Sequence, residues 1–244
     1  MTALIAADLH YNLRQYDWLL EVAGRYEAVI LAGDLLDLAA HADLDTQIVV
    51  VTKYLARIAH KTRLVVCSGD HDADGRDFLD EPIFDWFRDV RADGAHADGE
   101  HLPLGPALIS VCPWCDSPVA KARLERFLAT AIRPAAGPWI WIHHVPPSGS
   151  LVAWTGREHV GDDVLPLLIE HHRPELVVCG HVHDAPFRNG GAWVDRLGDT
   201  IIVNPGRQLG AVPAVIELDL EGGRLVWTSR EGSGSTDPPP NWSR

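Results

Sequence analysis

The chain has 244 residues, is 46% hydrophobic and 23% charged, and carries a formal net charge of -13. Such a composition belongs to an ordinary soluble globular protein and excludes fibrous and disordered architectures, and the length is ample for a buried core. The acidic balance argues against a protein that wraps nucleic acid or lies on an anionic membrane, because both need a positive field. It leaves room for a phosphate-bearing substrate wherever a local metal charge outweighs the global sign.

Four cysteines are too few for a disulfide scaffold, and they point to a reducing cytoplasm. No apolar run reaches the roughly 18 residues of a membrane span. The segment before Asp8 reads as a first buried strand rather than a signal peptide, since it lacks a basic start and a long apolar stretch.

In chain order, residues 4–7 predict a strand. Asn12 is placed to cap a helix with Leu13, Tyr16, Leu20 and Ala23 on one face. A strand at 28–32 is followed by a helix carrying Ile48, Val51, Leu55 and Ile58 at helical spacing. Strands are expected at 64–67, 107–111, 139–142 and 176–179, with helices around 77–90, 120–131 and 162–171. After His183 the texture changes to strand runs at 192–196, 200–203, 214–220 and 224–228, joined by glycine-rich turns. This reads as an α/β half and a mostly antiparallel end within one domain over 1–231. Residues 232–244, rich in Gly, Ser and Pro, are expected to form a flexible C-terminal tail.

Polar residues recur where the early strands stop. The segments are Asp8-Leu9-His10, Gly33-Asp34, Gly69-Asp70-His71-Asp72, His143-His144-Val145-Pro146 and Gly180-His181-Val182-His183. Strands of an open α/β sheet end on a common edge, where ligands bind, so five segments deliver carboxylates and imidazoles to one place. Unpaired, these groups would repel one another and lose hydration. A pair of cations sharing a bridging carboxylate removes the conflict.

This ordered set resembles the calcineurin-like metallophosphoesterases, and Asn204-Pro205-Gly206 resembles a further segment of that family. The resemblance implies an α/β (α+β) fold, a four-layer α-β-β-α sandwich of two packed mixed sheets flanked by helices. It also implies hydrolysis of phosphomonoesters or phosphodiesters by a water shared between two divalent ions. Asp8, His10, Asp34 and His183 would surround the first ion, and Asp34 would bridge to a second held by Asp70, His144 and His181. His144 is preferred over His143 because it stands two residues before Pro146. His71 would be the general acid or the group stabilising charge on the phosphate, oriented by Asp72, and Asn12 would contact substrate. Arg207, directly after Asn204-Pro205-Gly206, reads on its position either as a phosphate contact or as half of a structural ion pair. Imidazole and carboxylate donors favour Mn, with Fe or Zn as alternatives and Mg less suited.

One position departs from the family pattern: Asp70 stands where asparagine is usual. The extra carboxylate holds the second ion harder and weakens the pull on an anionic phosphate. A second class of function therefore stays open, a catalytically weak or retired member acting as a metal-binding interaction module. The expected partner is a small phosphoester, with neither nucleic acid nor membrane.

Other conspicuous residues have plainer readings. Cys112-Pro113-Trp114-Cys115 follows a mid-chain strand, so packed thiols are expected rather than a redox pair. Trp139 and Trp141 read as core, His96 and His101 as solvated loop residues, and His171-His172 as a partly protonated helix end.

Overall fold

In a computed structural model that describes residues 1–242, the apolar runs become the strands of two large sheets. The first half contains β1 (Thr2–Ala6), α1 (Leu13–Val22), β2 (Ala28–Ala32), α2 (Leu44–Ala59), β3 (Arg63–Cys67), β4 (Gly75–Arg76), β5 (Pro82–Ile83), α3 (Phe87–Ala92) and β6 (His96–Ala97). It continues with β7 (Glu100–Leu104), β8 (Ala107–Val111) and α4 (Pro118–Ala129). The second half contains β9 (Trp139–Ile142), α5 (Leu165–His172), β10 (Leu176–Val178), β11 (Val194–Leu197), β12 (Thr200–Val203), β13 (Val215–Asp219), β14 (Leu225–Thr228) and β15 (Ser233–Thr236).

One sheet runs β15-β14-β13-β1-β2-β3-β6, and the other β11-β12-β10-β9-β8-β7. Within the first, β1, β2, β3 and β6 are parallel, while β13, β14 and β15 add antiparallel strands on one side. The second is parallel from β8 to β12 and antiparallel at both edges. Side chains alternate between the two faces of each strand, and this sorts the core into layers. Ile5, Ile30 and Val65 meet Ile109, Ile140 and Val178 between the sheets. Leu4, Leu31 and Val66 face Tyr16, Val51, Leu55 and Phe87 of α1, α2 and α3. Trp139, Trp141 and Val177 pack under α4 and α5, where Leu124, Leu128, Leu165 and Ile169 cover them. The result is the four-layer α-β-β-α sandwich, and no helix among the described residues is long and apolar enough to cross a membrane.

Caps explain two helix starts. Asp43 accepts the Thr46 N–H at the head of α2, and Ser117 accepts the Ala120 N–H at the head of α4, ahead of Pro118. Asn12 precedes α1 without capping it.

Three expectations are corrected. The helix predicted around 77–90 is instead the β4–β5 hairpin followed by the short α3. The Asp77 carboxylate accepts the N–H groups of Leu79 and Glu81, which closes a turn that no helix can share. His101 is not a solvated loop residue. It lies in β7, stacks on Phe127 at 4.1 Å and pairs with Ser110. The segment from 232 is not a loose tail, for β15 pairs with β14 through Ser233–Thr236. Main-chain pairing needs no apolar side chains, and Trp242 then anchors the segment, 2% exposed in the inter-sheet core with its Nε1–H on the Leu220 carbonyl. Residues 243 and 244 of the expected tail lie outside the described residues.

Emptying that anchor should cost what core aromatic truncations cost. Trp242→Ala is expected to lower unfolding stability by about 3–5 kcal/mol, read as an earlier urea midpoint, and a change below about 1 kcal/mol contradicts this packing.

Candidate metal centre

The carboxyl ends of the parallel strands of both sheets converge. The loop after β1 lies along the loop after β2 through Asp8 N–H to Gly33 O (3.1 Å) and His10 N–H to Asp34 O (2.9 Å). The loops after β9 and β10 are joined by Gly180 N–H to His144 O at 2.9 Å. The His181 N–H then donates to Asp8 Oδ1 at 2.9 Å and ties one sheet's loops to the other's.

Two glycines make this approach sterically feasible. A Cβ at Gly33, which has φ +86°, would collide with the His144 imidazole, and one at Gly69 would collide with the Asp34 carboxylate. Four of the gathered side chains, on Asp8, His10, Asp34 and His181, come from non-glycine residues with φ between 43° and 66°. Left-handed backbone at such residues costs energy and persists where surrounding structure enforces it.

The structure brings together all seven residues expected around ions. Donor atoms of Asp8, His10, Asp34 and His183 lie within 4.8 Å of one another, as do those of Asp34, Asp70, His144 and His181. Asp34 belongs to both groups. His10 Nε2 and His183 Nε2 face each other at 2.9 Å, and Asp34 Oδ2 lies 3.4 Å from His10 Nε2 and 3.3 Å from His144 Nε2. Asp70 Oδ1 is 3.5 Å from His144 Nε2 and 3.0 Å from His181 Nδ1.

Divalent ions fit this set. Asp8 Oδ2, His10 Nδ1 and His144 Nε2 are buried without a hydrogen-bond partner, each a cost of about 1–3 kcal/mol. Coordination by Asp8 and His144 would relieve two of them. His144 Nδ1 lies 2.6 Å from the Ala32 carbonyl, which places the ring proton there and turns the Nε2 lone pair into the cluster, as metal-binding imidazoles are usually oriented.

The electrostatics show the same demand for positive charge. Burial alone would push Asp34 up, but His144 and His10 outweigh it and hold the carboxyl at about 2. Burial would likewise lower His144, yet the carboxylates of Asp34, Asp70 and Asp8 raise it well above its ordinary value. Burial lowers His10 to about 3, helped by Arg207, and it lowers His183 in the same way. The cluster thus draws a proton onto one imidazole and leaves two neutral, ready to donate lone pairs.

A family model described as "Metallophosphoesterase, calcineurin superfamily" matches residues 131–221, which include His144, His181 and His183. Among solved structures, the Thermus thermophilus protein TT1561 is similar at 18% identity and TM-score 0.60, covering 97% of this chain and 98% of its own. The purple acid phosphatase PPD1 of yellow lupin is similar at 14% identity and TM-score 0.63, over 97% of this chain and 52% of that one. The family model thus covers the segment that carries three of the gathered histidines, and the likeness to the solved structures extends the same fold over the whole chain. A dimetal phosphatase from Danio rerio shares 10% identity and a TM-score of 0.50, over 98% of this chain and 99% of its own. Likeness at such identities speaks for the fold. No curated protein matches the chain.

The remaining expected residues fall differently from their sequence reading. His71 stands at the mouth, its ring 4.5 Å from that of His10 and Nε2 3.9 Å from Asp70 Oδ2. Asp72 does not orient it. Fully buried, Asp72 accepts the N–H groups of Leu35 and Leu36 on Oδ1 and of Gly69 on Oδ2, buckling the Asp34 loop to the Asp70 loop. Burial and the Asp34 carboxylate push Asp72 up to about 8, against those N–H donors. Besides Asp70, a second carboxylate lies near His71: Asp37, which forms a third close group with His10 and His71. Its place three residues after Asp34 was the overlooked signal.

Asn12 is occupied elsewhere, because its amide donates to the carbonyls of Leu209 and Gly210. Arg207 has no acidic partner among the described residues and depresses both His10 and His183, so its charge reaches the first group. His143 points away, with Nδ1 near the Val145 carbonyl and Nε2 3.4 Å from Cys115 Sγ. Cys112 and Cys115 are buried thiols, pushed up by burial, Cys115 to about 12, which suits packing. His172 packs edge-on against Trp139 and Trp141, and burial lowers it, opposite to the partly protonated helix end expected. Asn204 donates to the carbonyls of Val152, Gly180 and Val182 and so braces the loop of His181 and His183.

A cleft of about 160 Å³ lined by Thr155, Val160 and residues 181–184 opens beside the first group. The larger cavity, about 600 Å³ between α5 and the β11–β12 turn, contains none of the gathered residues.

Two measurements check this geometry. Without a cation His144 is held protonated, so binding must displace that proton. Manganese affinity should therefore rise as pH rises through the neutral range, with proton release on titration, and a flat profile contradicts it. Asp72→Asn aims an amide donor at a backbone N–H. It should destabilise the fold by about 1–3 kcal/mol in chemical denaturation.

Proposed function

We propose that the protein hydrolyses small phosphoesters with two divalent cations, preferentially manganese, one in each ligand group and bridged by Asp34. The observation that carries this reading is the pair of donor groups sharing one buried carboxylate, with unpartnered Asp8 and His144 atoms turned inward. Asp8, His10, Asp34 and His183 would hold the first cation, and Asp34, Asp70, His144 and His181 the second. Mixed imidazole and carboxylate donors suit manganese better than magnesium. Such cations, when bound, neutralise phosphate oxygens and acidify a shared water.

The chain's own residues supply the rest. Arg207, a cation without an acidic partner among the described residues whose N–H bonds the His183 carbonyl, would hold a non-bridging phosphate oxygen beside the first cation. His71, 27% exposed at its side chain, can protonate the departing oxygen, and Asp37 beside it can steady the imidazolium that reprotonation restores. The buried ligands exclude bulk water beneath the substrate, where charge interactions are strongest.

A second reading rests on Asp70. Its carboxylate adds negative charge facing the incoming phosphate, which favours a weakly active protein retaining its metals for partner binding. The two readings separate in one panel: metal content of the purified protein, then hydrolysis of chromogenic mono- and diesters with Mn, Zn and Mg. Asp34→Asn is expected to remove at least about a hundredfold of activity, since even residues behind metal ligands are worth that much. Asp70→Asn should loosen one cation yet keep or raise turnover at saturating metal. Intact hydrolysis in Asp34→Asn overturns the bridging assignment, and no turnover with two metals bound decides for the interaction module.

A further inference from the structure

Trp114 is an aromatic residue that the fold does not use as core. It packs in none of the three apolar clusters, although the flanking Cys112 and Cys115 both lie within one. Its half-buried indole lies instead against the second ligand group. The ring centre is 6.0 Å from that of His144 and 5.9 Å from that of His181, with tilts of 53° and 51°, so neither imidazole stacks on it.

The residue is held in place from behind. The Trp114 N–H donates to Ser68 Oγ at 2.8 Å, and the Ser68 N–H donates to Asp98 Oδ1 at 2.9 Å. Ser68 is fully buried and immediately precedes Gly69-Asp70, so the main chain at Trp114 is pinned to the segment that carries Asp70. A ring carried on an anchored main chain binds a planar group at lower ordering cost. Arg207 follows at the other ligand group, where its N–H donates to the His183 carbonyl at 3.0 Å. The indole thus borders one ligand group and the main chain of Arg207 borders the other, with Asp34 shared between the two groups.

We propose that Trp114 is the platform for a planar aromatic ring on the substrate, which makes the substrate class a nucleotide-like phosphoester rather than a bare sugar phosphate. This rests on the two-cation reading above. Ring stacking on an aromatic side chain is worth about tenfold or more in affinity per ring.

The test uses the manganese-loaded protein and calorimetric binding of two probes. One is the methylene phosphonate analogue of adenosine 5′-phosphate, and the other is the same ribose phosphonate without the base. The probes are not hydrolysed, so the result does not depend on turnover. The wild type is expected to prefer the base-bearing probe about tenfold, Trp114→Ala to bring that ratio close to one, and Trp114→Phe to restore most of it. A ratio near one in the wild type, or one that survives Trp114→Ala, overturns the proposal. Absent ester hydrolysis with the tenfold ratio preserved removes the catalytic reading and leaves the ring platform standing.

Discussion

The whole site depends on confining negative charge. Three aspartates and four histidines meet where the strand ends of two sheets abut, and Asp34 belongs to both halves of the cluster. Water is excluded from Asp8, Asp34 and His144, so their mutual repulsion and lost hydration have to be answered locally. Protonation of His144 answers them in part, and cations answer them more fully. The left-handed backbone at Asp8, His10, Asp34 and His181 is tolerated because the hydrogen bonds between neighbouring loops, and from His181 to Asp8 across the sheets, leave those residues little choice.

Behind these side chains stands a layer of polar residues that never reach a ligand. Asp72 joins the Asp34 loop to the Asp70 loop, Asn204 braces the loop of His181 and His183, and Ser68 links the Asp70 segment to Trp114. Each is fully buried, and each uses its side chain on backbone groups of loops that have no regular structure of their own. The loops stay in one conformation for that reason rather than through apolar packing.

Much of this was legible in the sequence, because strand ends in an α/β fold carry function at readable positions. Apolar runs closed by Asp-x-His, Gly-Asp or Gly-His-x-His mark both the strands and what they deliver. What escaped reading was set by tertiary contact. The roles of Asp72 and Asp37 could not be separated by spacing, since only the folding of the Asp34 loop decides which one faces His71. The β4–β5 hairpin escaped because apolar spacing over 78–90 mimics a helix while the Asp77 carboxylate closes a turn. Strand β15 escaped because Ser-Gly-Ser-Thr has no hydrophobic alternation, and its partner is chosen by main-chain pairing with β14.

The position of β13 has a kinetic consequence. It lies directly beside β1, with Thr2 opposite Asp219, so the strand that leads to Asp8 gains its antiparallel neighbour from almost the far end of the polypeptide. Contacts spanning such a loop are slow to form, since chain entropy is lost before the pairing rewards it. During synthesis the ligand-bearing strands emerge long before the sheet edge that covers them, and until β13 arrives β1 exposes an unpaired apolar edge to aggregation.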